Sequence, residues 1–184
     1  MILLSKNTLL TALLVLMALP TTAFSDGDAL VADVFDRKNL VAWCVVPFDA
    51  KKRDPEQRAQ MLDRLGIKRL AYDWRDEHVE TWDAELDALK RHNIELTAFW
   101  ADGTLNDSTR RILDLLARHG VQTQLWSMLG VSDQPTKDAT EQEQRVKEAA
   151  VRLRPLAEEA AKINCRIAIY NHGGWTGEPE NQLA

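Results

Sequence analysis

The sequence predicts an α/β fold: a (β/α)8 TIM barrel, of which this chain carries about five βα units. Short apolar, β-branched runs alternate with segments of helical periodicity, a pattern typical of parallel strands joined by right-handed crossovers. No GxGxxG or GxxxxGK[ST] motif occurs, which disfavours the competing fold, an open doubly wound sheet. Polar and aromatic side chains follow the predicted strands directly, as they do at the carboxyl face of a barrel.

The amino terminus is predicted to be an export signal that covers residues 1–25. Lys6 supplies a positive charge, Leu9–Leu19 is almost wholly apolar, and small residues precede the expected cleavage after Ser25. The apolar run is shorter than the ~20 residues that a spanning helix needs, so an uncleaved membrane anchor is the disfavoured alternative. We therefore expect an exported protein, periplasmic or extracellular, with a linker at residues 26–38 and the barrel segment at 39–184.

The predicted strands are runs in which apolar and β-branched residues dominate. The first run, LVAWCVV, is continuous and ends at Pro47, which suits a strand that is buried on both faces. The later runs each follow a helix-ending residue. In order, the five strands are predicted at Leu40–Val46, Ile67–Asp73, Ile94–Trp100, Val121–Met128 and Arg166–Tyr170.

The predicted helices are marked by their caps and by apolar residues three or four positions apart. The first begins at Asp54-Pro55 and ends at Gly66, the second ends near Asn93, and the third begins at Asn106 or Asp107 and ends at Gly120. A long helix is expected from about Glu141 to Ile163, kinked or divided by Pro155. Its inward residues are predicted to be Val146, Ala150, Leu153, Ala157 and Ala160, and the last four residues of the chain begin another helix.

Charge and cysteine content exclude several classes of protein. The formal net charge is −5, and removal of Lys6 with the signal makes it about −6. An acidic chain without a basic cluster is a poor partner for nucleic acid, and no segment after the signal predicts a membrane span. Cys44 and Cys165 lie in strand-like runs without a Cys-x-x-Cys motif, which favours two buried thiols over a disulfide framework.

Candidate ligand-binding residues follow the second, third and fourth strands. Asp73 and Arg75 flank Trp74 at the end of the second strand, so they are expected to lie close together. They form either a structural ion pair or a carboxylate and a guanidinium that grip polyol hydroxyls or a phosphate. Tryptophan side chains at strand or loop exits suggest flat walls on which sugar rings stack; these are Trp100, Trp126 and Trp175.

The segment from Tyr170 to Trp175 resembles a binding loop, because a strand ending in Asn-His is followed by two glycines. His172 is the strongest candidate here, as a metal ligand or a proton shuttle. The alternative is a histidine that only hydrogen-bonds within the barrel mouth. His92 and His119 are expected to face solvent at the carboxyl ends of helices, where they interact with the helix dipole.

Four segments of the chain together resemble one known family of barrels. They are AYDWRDEH at residues 71–78, AFW at 98–100, QLW at 124–126 and IYNHGGWTGEPENQL at 169–183. They resemble the xylose isomerase-like TIM-barrel superfamily, in particular exported proteins of its sugar phosphate isomerase/epimerase branch. The resemblance implies a divalent-metal site at the carboxyl face, holding Mn²⁺, Mg²⁺ or Zn²⁺, and proton transfer beside a sugar carbonyl.

One residue departs from the pattern of that family. Many relatives have Glu-Asn-His-Gly-Gly at the end of strand five, where the Glu supplies a metal carboxylate. Here the matching residue is Tyr170, and a phenol is a weak ligand for hard divalent cations. Asn171 and His172 remain as candidate ligands, and His172 is the residue that we assign to a metal.

We expect the complete parent protein to be a sugar (phosphate) isomerase or epimerase that acts on a small sugar or polyol. Asp73 and His172 are the expected catalytic residues, and the expected binding residues are Arg75, Trp100, Trp126, Asn171 and Trp175. The alternatives are a non-catalytic carbohydrate-binding barrel and an endonuclease of the same superfamily, the latter disfavoured by acidic charge and export.

The chain is also short for a barrel. A complete barrel takes about 250 residues, whereas this chain reaches Ala184 just after its fifth predicted strand. We therefore expect an inactive fragment whose unpaired strand edges favour association. The alternative is that two half-barrels dimerise into a closed barrel.

Overall fold

The computed structural model describes residues 34–184. Residues 35–184 form a compact unit of their own. The predicted export signal and most of the predicted linker lie outside the described residues. No helix in the described part of the chain has both the length and the apolar character needed to cross a bilayer.

Four parallel strands form the central sheet, in the order β1-β2-β3-β4. Each strand therefore pairs with the next one along the sequence. A doubly wound sheet reverses its direction of growth at a switch point, whereas consecutive units of a barrel produce this sequential order. The predicted α/β class is confirmed. The strands are β1 (Arg69–Tyr72), β2 (Glu95–Ala101), β3 (Gln124–Ser127) and β4 (Arg166–Ile169).

Helices connect the strands and follow the last one. Short 3-10 helices at Arg37–Asn39 and Asp76–Thr81 precede α1 and α2. The α-helices are α1 (Pro55–Leu65), α2 (Trp82–Arg91), α3 (Asp107–His119), α4 (Ala139–Lys162), α5 (Gly174–Gly177) and α6 (Pro179–Leu183).

The starts of α1 and α3 are fixed by side chains next to them in sequence. The Asp54 carboxylate accepts a hydrogen bond from the Gln57 N–H at 2.8 Å, and the Asn106 side chain accepts one from the Thr109 N–H at 2.9 Å. Both starts are reciprocal capping boxes, which satisfy otherwise unpaired amide groups of the first turn. The predicted starts of these two helices are confirmed.

The predicted first strand, Leu40–Val46, is wrong. Only Ala42 bridges to the sheet, where it lies opposite Leu70. Cys44 has a φ of 57°, in the left-handed region, which breaks the extended geometry that a strand needs. Trp43 keeps 45% of its surface exposed, so the segment is not buried on both faces either.

The long helix α4 is continuous through Pro155, which the sequence analysis expected to kink or divide it. A proline at this position removes the hydrogen bond to the Val151 carbonyl; both residues are exposed, so water can replace that bond. The predicted inward face is also wrong at Ala150 and Ala157, which are exposed. The buried residues of α4 are Arg145, Ala149, Leu156 and Ala160.

The main core lies between one face of the sheet and α1 to α4. Phe99 and Leu125 face these helices and are fully buried with Leu62, Leu116 and Leu156 from the helices. A second, smaller core surrounds Trp175 beside α4. Because all four long helices cover the same face, the opposite face of the sheet, called here the inner face, is where a ligand can approach.

Candidate functional site

Aromatic side chains cover the carboxyl end of the inner face. Phe99 and Leu125 point into the core, so the residues that follow them, Trp100 and Trp126, point to the inner face. Register places these two tryptophans directly opposite each other on β2 and β3. Tyr170 comes immediately after β4, and its backbone N–H donates to the Ser127 carbonyl at 2.9 Å.

The four rings of Trp43, Trp100, Trp126 and Tyr170 form one contact group, called here the aromatic wall. Tyr170 lies at its centre, with ring centroids 4.5 Å from Trp100 and 5.9 Å from both Trp126 and Trp43. Trp43 also meets Trp126 edge-on at 6.3 Å. The structure therefore brings together two of the three predicted tryptophans and adds Trp43, which lies within the first predicted strand.

Asp73 and Arg75 form an ion pair beside this wall. An Arg75 guanidinium N–H donates to Asp73 Oδ1 at 2.7 Å and to the Trp74 carbonyl at 2.6 Å. The guanidinium also lies over the Phe48 ring, 5.6 Å from its centroid. Asp73 is buried, whereas nearly half of the Arg75 side chain is exposed. The pair thus combines a fixed carboxylate with a guanidinium that solvent can still reach.

Cys44 is a site residue that sequence reasoning missed. Its thiol lies 3.6 Å from Asp73 Oδ2, on the side of the carboxylate away from Arg75. Burial, followed by the negative charge of Asp73, raises the pKa of this thiol. Burial, with Cys44 and Asp73 nearby, also raises the pKa of Tyr170, which keeps its hydroxyl protonated at neutral pH. The LVAWCVV run has the pattern of a buried strand and does not predict the turn at Cys44. The contact between Cys44 and Asp73 could therefore not be predicted from it.

Asn171 serves the loop that it begins. Its side-chain oxygen accepts a hydrogen bond from the Gly173 N–H at 2.9 Å, and its amide donates to the Gly177 carbonyl at 2.8 Å. The predicted roles of Asn171 in metal and substrate binding would require these internal bonds to be given up. The residue instead fixes the shape of the turn between β4 and α5.

Trp175 lies apart from the aromatic wall. It is buried in the second core, where the Arg145 guanidinium stacks 5.2 Å from its ring centroid and its indole N–H donates to Gln142 Oε1 at 2.6 Å. Its backbone N–H donates to the Asp133 carbonyl at 2.8 Å, and the neighbouring Thr176 hydroxyl donates to the Asp133 carboxylate at 2.6 Å. Trp175 therefore fastens the last loop to α4 and is no wall for a ligand, contrary to the sequence interpretation.

His172 is exposed and extends the aromatic wall. Its ring centroid lies 5.1 Å from that of Tyr170. Within residues 34–184, no three or more His, Cys, Asp or Glu side chains are arranged so that they could hold a metal ion. The described residues therefore offer His172 as a single candidate ligand without a partner set.

The other histidines serve the scaffold. His78 Nδ1 accepts a hydrogen bond from the Arg75 N–H at 3.0 Å, which positions the backbone of the ion pair. His92 and His119 are partly buried, contrary to expectation, and each pairs with a carboxylate of the preceding helix. The His92–Glu56 and His119–Asp83 distances are both 2.8 Å.

Comparison with known proteins identifies a fold and no family. No family model matches the sequence, and neither does any curated protein. A similar solved structure is the probable 3-DHS dehydratase AsbF, involved in petrobactin synthesis, from Bacillus anthracis, with a TM-score of 0.58 and 14% identity over 78% of this chain. The chain spans 56% of the length of that protein, which has the xylose isomerase-like TIM-barrel fold. At this identity, the similarity shows the fold alone.

Proposed function

We propose that the inner face binds a sugar or polyol, and that the parent protein is a sugar (phosphate) isomerase or epimerase that moves a proton beside a sugar carbonyl. The observation that carries this proposal is the position of the aromatic wall beside the Asp73–Arg75 pair, at the carboxyl end of parallel strands. Catalytic residues of barrels come from these strand ends. Rings next to a charged hydrogen-bonding pair suit a ligand with C–H faces and hydroxyl groups.

Each group has a distinct role in this proposal. Trp100 and Trp126 stack on the ligand and exclude water, while Arg75 donates to its hydroxyl or carbonyl oxygens. Asp73, held by Arg75 on one oxygen and by the Cys44 thiol on the other, is the group to which we assign uptake of the proton. Tyr170 keeps its own proton beside Asp73 and can donate a hydrogen bond to a ligand oxygen.

The divalent metal stays part of the proposal for the parent protein only. Mn²⁺, Mg²⁺ or Zn²⁺ would take His172 from this chain, but Tyr170 stands at the carboxylate position of the family and Asn171 is occupied by its own loop. The residues described do not fit such an ion by themselves. No step above depends on it.

Binding tests the first half of this proposal. The parent protein should bind aldoses, ketoses or polyols, as detected by tryptophan fluorescence and by ligand-observed NMR. Trp126→Ala should weaken binding about fivefold, because a stacked ring contributes about 1 kcal/mol. Val151→Ala removes an exposed apolar side chain on α4 and should change nothing. A folded parent protein that binds none of these aldoses, ketoses or polyols would contradict the proposal.

A second candidate is a carbohydrate-binding barrel without catalysis. Tyr170 at the carboxylate position and the internal bonds of Asn171 favour it, since both remove expected metal ligands. The parent protein with added Mn²⁺, Mg²⁺ or Zn²⁺ separates the two candidates. Turnover of any aldose or ketose supports the isomerase, whereas sugar binding without turnover supports the binding protein.

We also propose that the protein is exported, with cleavage after Ser25. The apolar run at Leu9–Leu19 and the small residues before Asp26 support this proposal. Amino-terminal sequencing of the mature protein from a native-like host should begin at Asp26. An intact Met1 on cytoplasmic protein would contradict it.

A further inference from the structure

A cleft of about 290 Å³ opens beside the aromatic wall, between the loops that follow β2 and β3. Trp100 is part of the aromatic wall and also lines the cleft. The cleft therefore extends outward from the proposed sugar site on the inner face. Its remaining polar lining comes from three elements: the β2–α3 loop, the β3–α4 loop and α4. The lining residues used below are Trp100, Asp102, Asn106, Gly130 and Arg152.

Close approach of two loops builds this cleft. A Cβ on Gly103 would overlap the Met128 carbonyl oxygen, so the two loops touch at that point. Gly130 has a φ of 66°, and a Cβ there would lie 3.0 Å from Arg152 Nη2. The absence of a side chain at Gly130 therefore lets the Arg152 guanidinium lie across the loop backbone at the wall of the cleft.

The charges in the cleft are separated. Arg152 forms no ion pair with any residue of the described part of the chain, although the protein is acidic overall with a net charge of −5. On another wall, Asp102 Oδ2 accepts a hydrogen bond from the Asn106 amide at 2.8 Å, while its second oxygen makes no hydrogen bond within residues 34–184. The Asp102 carboxylate can accept hydroxyls and repels an anion, which directs a negative group toward Arg152.

We propose that this cleft binds the anionic end of the sugar ligand, a carboxylate or phosphate group held by the Arg152 guanidinium. The inference rests on the proposed function and deepens it, because it names the substrate class as sugar acids or sugar phosphates. The neutral part of the ligand lies on the aromatic wall, and its hydroxyls reach Asp102 and Asn106. Arginine suits this task because its planar fork matches both carboxylate and phosphate.

Calorimetric titration of the parent protein tests the inference with four probes: glucose, glucuronate, glucose 6-phosphate and inorganic phosphate. We expect at least one charged sugar to bind about tenfold more tightly than glucose, since a charge-assisted hydrogen bond contributes about 1.5 kcal/mol or more. Arg152→Ala should abolish this preference and leave the affinity for glucose unchanged, and Arg152→Lys should retain part of it. Arg154→Ala, which removes another exposed arginine of the same helix, should have no effect.

The outcomes separate this inference from the proposed function. If glucose binds but charged sugars bind no better, or if their preference survives Arg152→Ala, the cleft is not an anion subsite and the sugar site stands. If no sugar binds, both proposals are overturned. Preference for glucose 6-phosphate with competition by inorganic phosphate identifies a phosphate group, and preference for glucuronate alone identifies a carboxylate.

Discussion

At the level of single residues, Asp73 connects the Arg75 guanidinium on one oxygen with the Cys44 thiol on the other. The negative charge on Asp73 and its hydrogen bond with the thiol both contribute to raising the pKa of Cys44, after burial. A thiol in this state reacts slowly with alkylating reagents at neutral pH, because the thiolate is the nucleophile. The alkylation rate of Cys44 therefore reports whether residue 73 carries a carboxylate next to the thiol.

We predict that Asp73→Asn makes Cys44 several-fold more reactive toward iodoacetamide at neutral pH, since the remaining Arg75 charge then lowers the thiol pKa. The rate is measured by mass spectrometry in a Cys165→Ala background. Asp102→Asn removes a carboxylate outside this contact and serves as the control. An unchanged or slower rate in Asp73→Asn would show that the thiol and carboxylate do not interact.

These residues also mark a limit of reasoning from sequence. Asp73 and Arg75 are two positions apart, so local geometry sufficed to predict their proximity, which the 2.7 Å distance confirms. Cys44 approaches Asp73 through a left-handed turn, and Arg152 lines the same cleft as Trp100 because of where α4 packs. Neighbouring residues in the sequence predict neither arrangement.

At the level of elements, the Arg58–Glu85 ion pair ties α1 to α2 inside the core. An Arg58 N–H donates to Glu85 Oε2 at 2.9 Å, and both side chains are buried. Burial raises the pKa of Glu85 despite this partner. Removing only the arginine would leave a buried carboxylate without compensation.

In the parent protein, Arg58→Met should therefore lower the free energy of unfolding by about 3–5 kcal/mol, as measured by urea denaturation. The double variant Arg58→Met/Glu85→Leu replaces the pair by apolar groups and should recover most of that loss. A single variant as stable as wild type would show that the pair does not hold the two helices together.

A second set of contacts joins the amino-terminal turn of one helix to the carboxyl end of the next helix. Glu56 of α1 pairs with Arg91 and His92, which end α2. Asp83 of α2 pairs in the same way with Arg118 and His119, which end α3. The Arg91 and His92 bonds lower the pKa of Glu56 to about 2, and the Glu56 and Asp63 carboxylates raise the pKa of His92.

Stability should therefore depend on pH through His92. A histidine whose pKa is raised by folding stabilises the protein fully below its ordinary pKa of 6.5, and this contribution is lost as pH rises through the raised value. We predict that the melting temperature of the parent protein falls as pH rises from about 6.5 through the raised pKa of His92, and that His92→Asn flattens this fall. His172→Asn, which removes an exposed histidine without a carboxylate partner in the described region, should retain the wild-type slope.

Helices and strands differed in how well the sequence predicted them. The starts of α1 and α3 were predicted correctly because their caps and first turns are adjacent residues. The segment at Leu40–Val46 has the composition of a buried strand, but only Ala42 bridges to the sheet and the backbone turns at Cys44. The face that α4 buries depends on its angle to the sheet, which periodicity alone does not fix.

At the level of the whole molecule, one sheet edge is unpaired within residues 34–184, and the aromatic rings of the inner face are partly exposed. β4 pairs with β3 alone, and Trp43 of the aromatic wall is 45% exposed. Unpaired edges and exposed apolar surface favour association between chains. The same surfaces would be internal in a closed barrel.

We predict that residues 26–184, produced alone, form aggregates or a loosely packed monomer that binds a hydrophobic dye and has no isomerase activity. Light scattering measures the aggregation, and calorimetric melting measures how cooperatively the chain unfolds. A Trp43→Ser/Trp126→Ser variant removes apolar surface from the inner face and should reduce association. A monodisperse dimer that melts cooperatively and turns over a sugar would contradict this prediction, because two half-barrels would then complete each other.

The sequential order of the strands also determines how the chain can fold as it is synthesised. β1 needs only β2 as its partner within the sheet, and β2 needs only β3 in addition, so each step closes a loop of about one βα unit. Contacts between neighbouring units keep loop-closure costs low, which favours fast assembly from the amino-terminal end while later residues are still being added at the ribosome. If the protein is exported unfolded, as proposed, the proposed signal at residues 1–25 must engage the translocation machinery before β2 and β3 emerge, because the first paired strands would otherwise hold the chain in the cytoplasm.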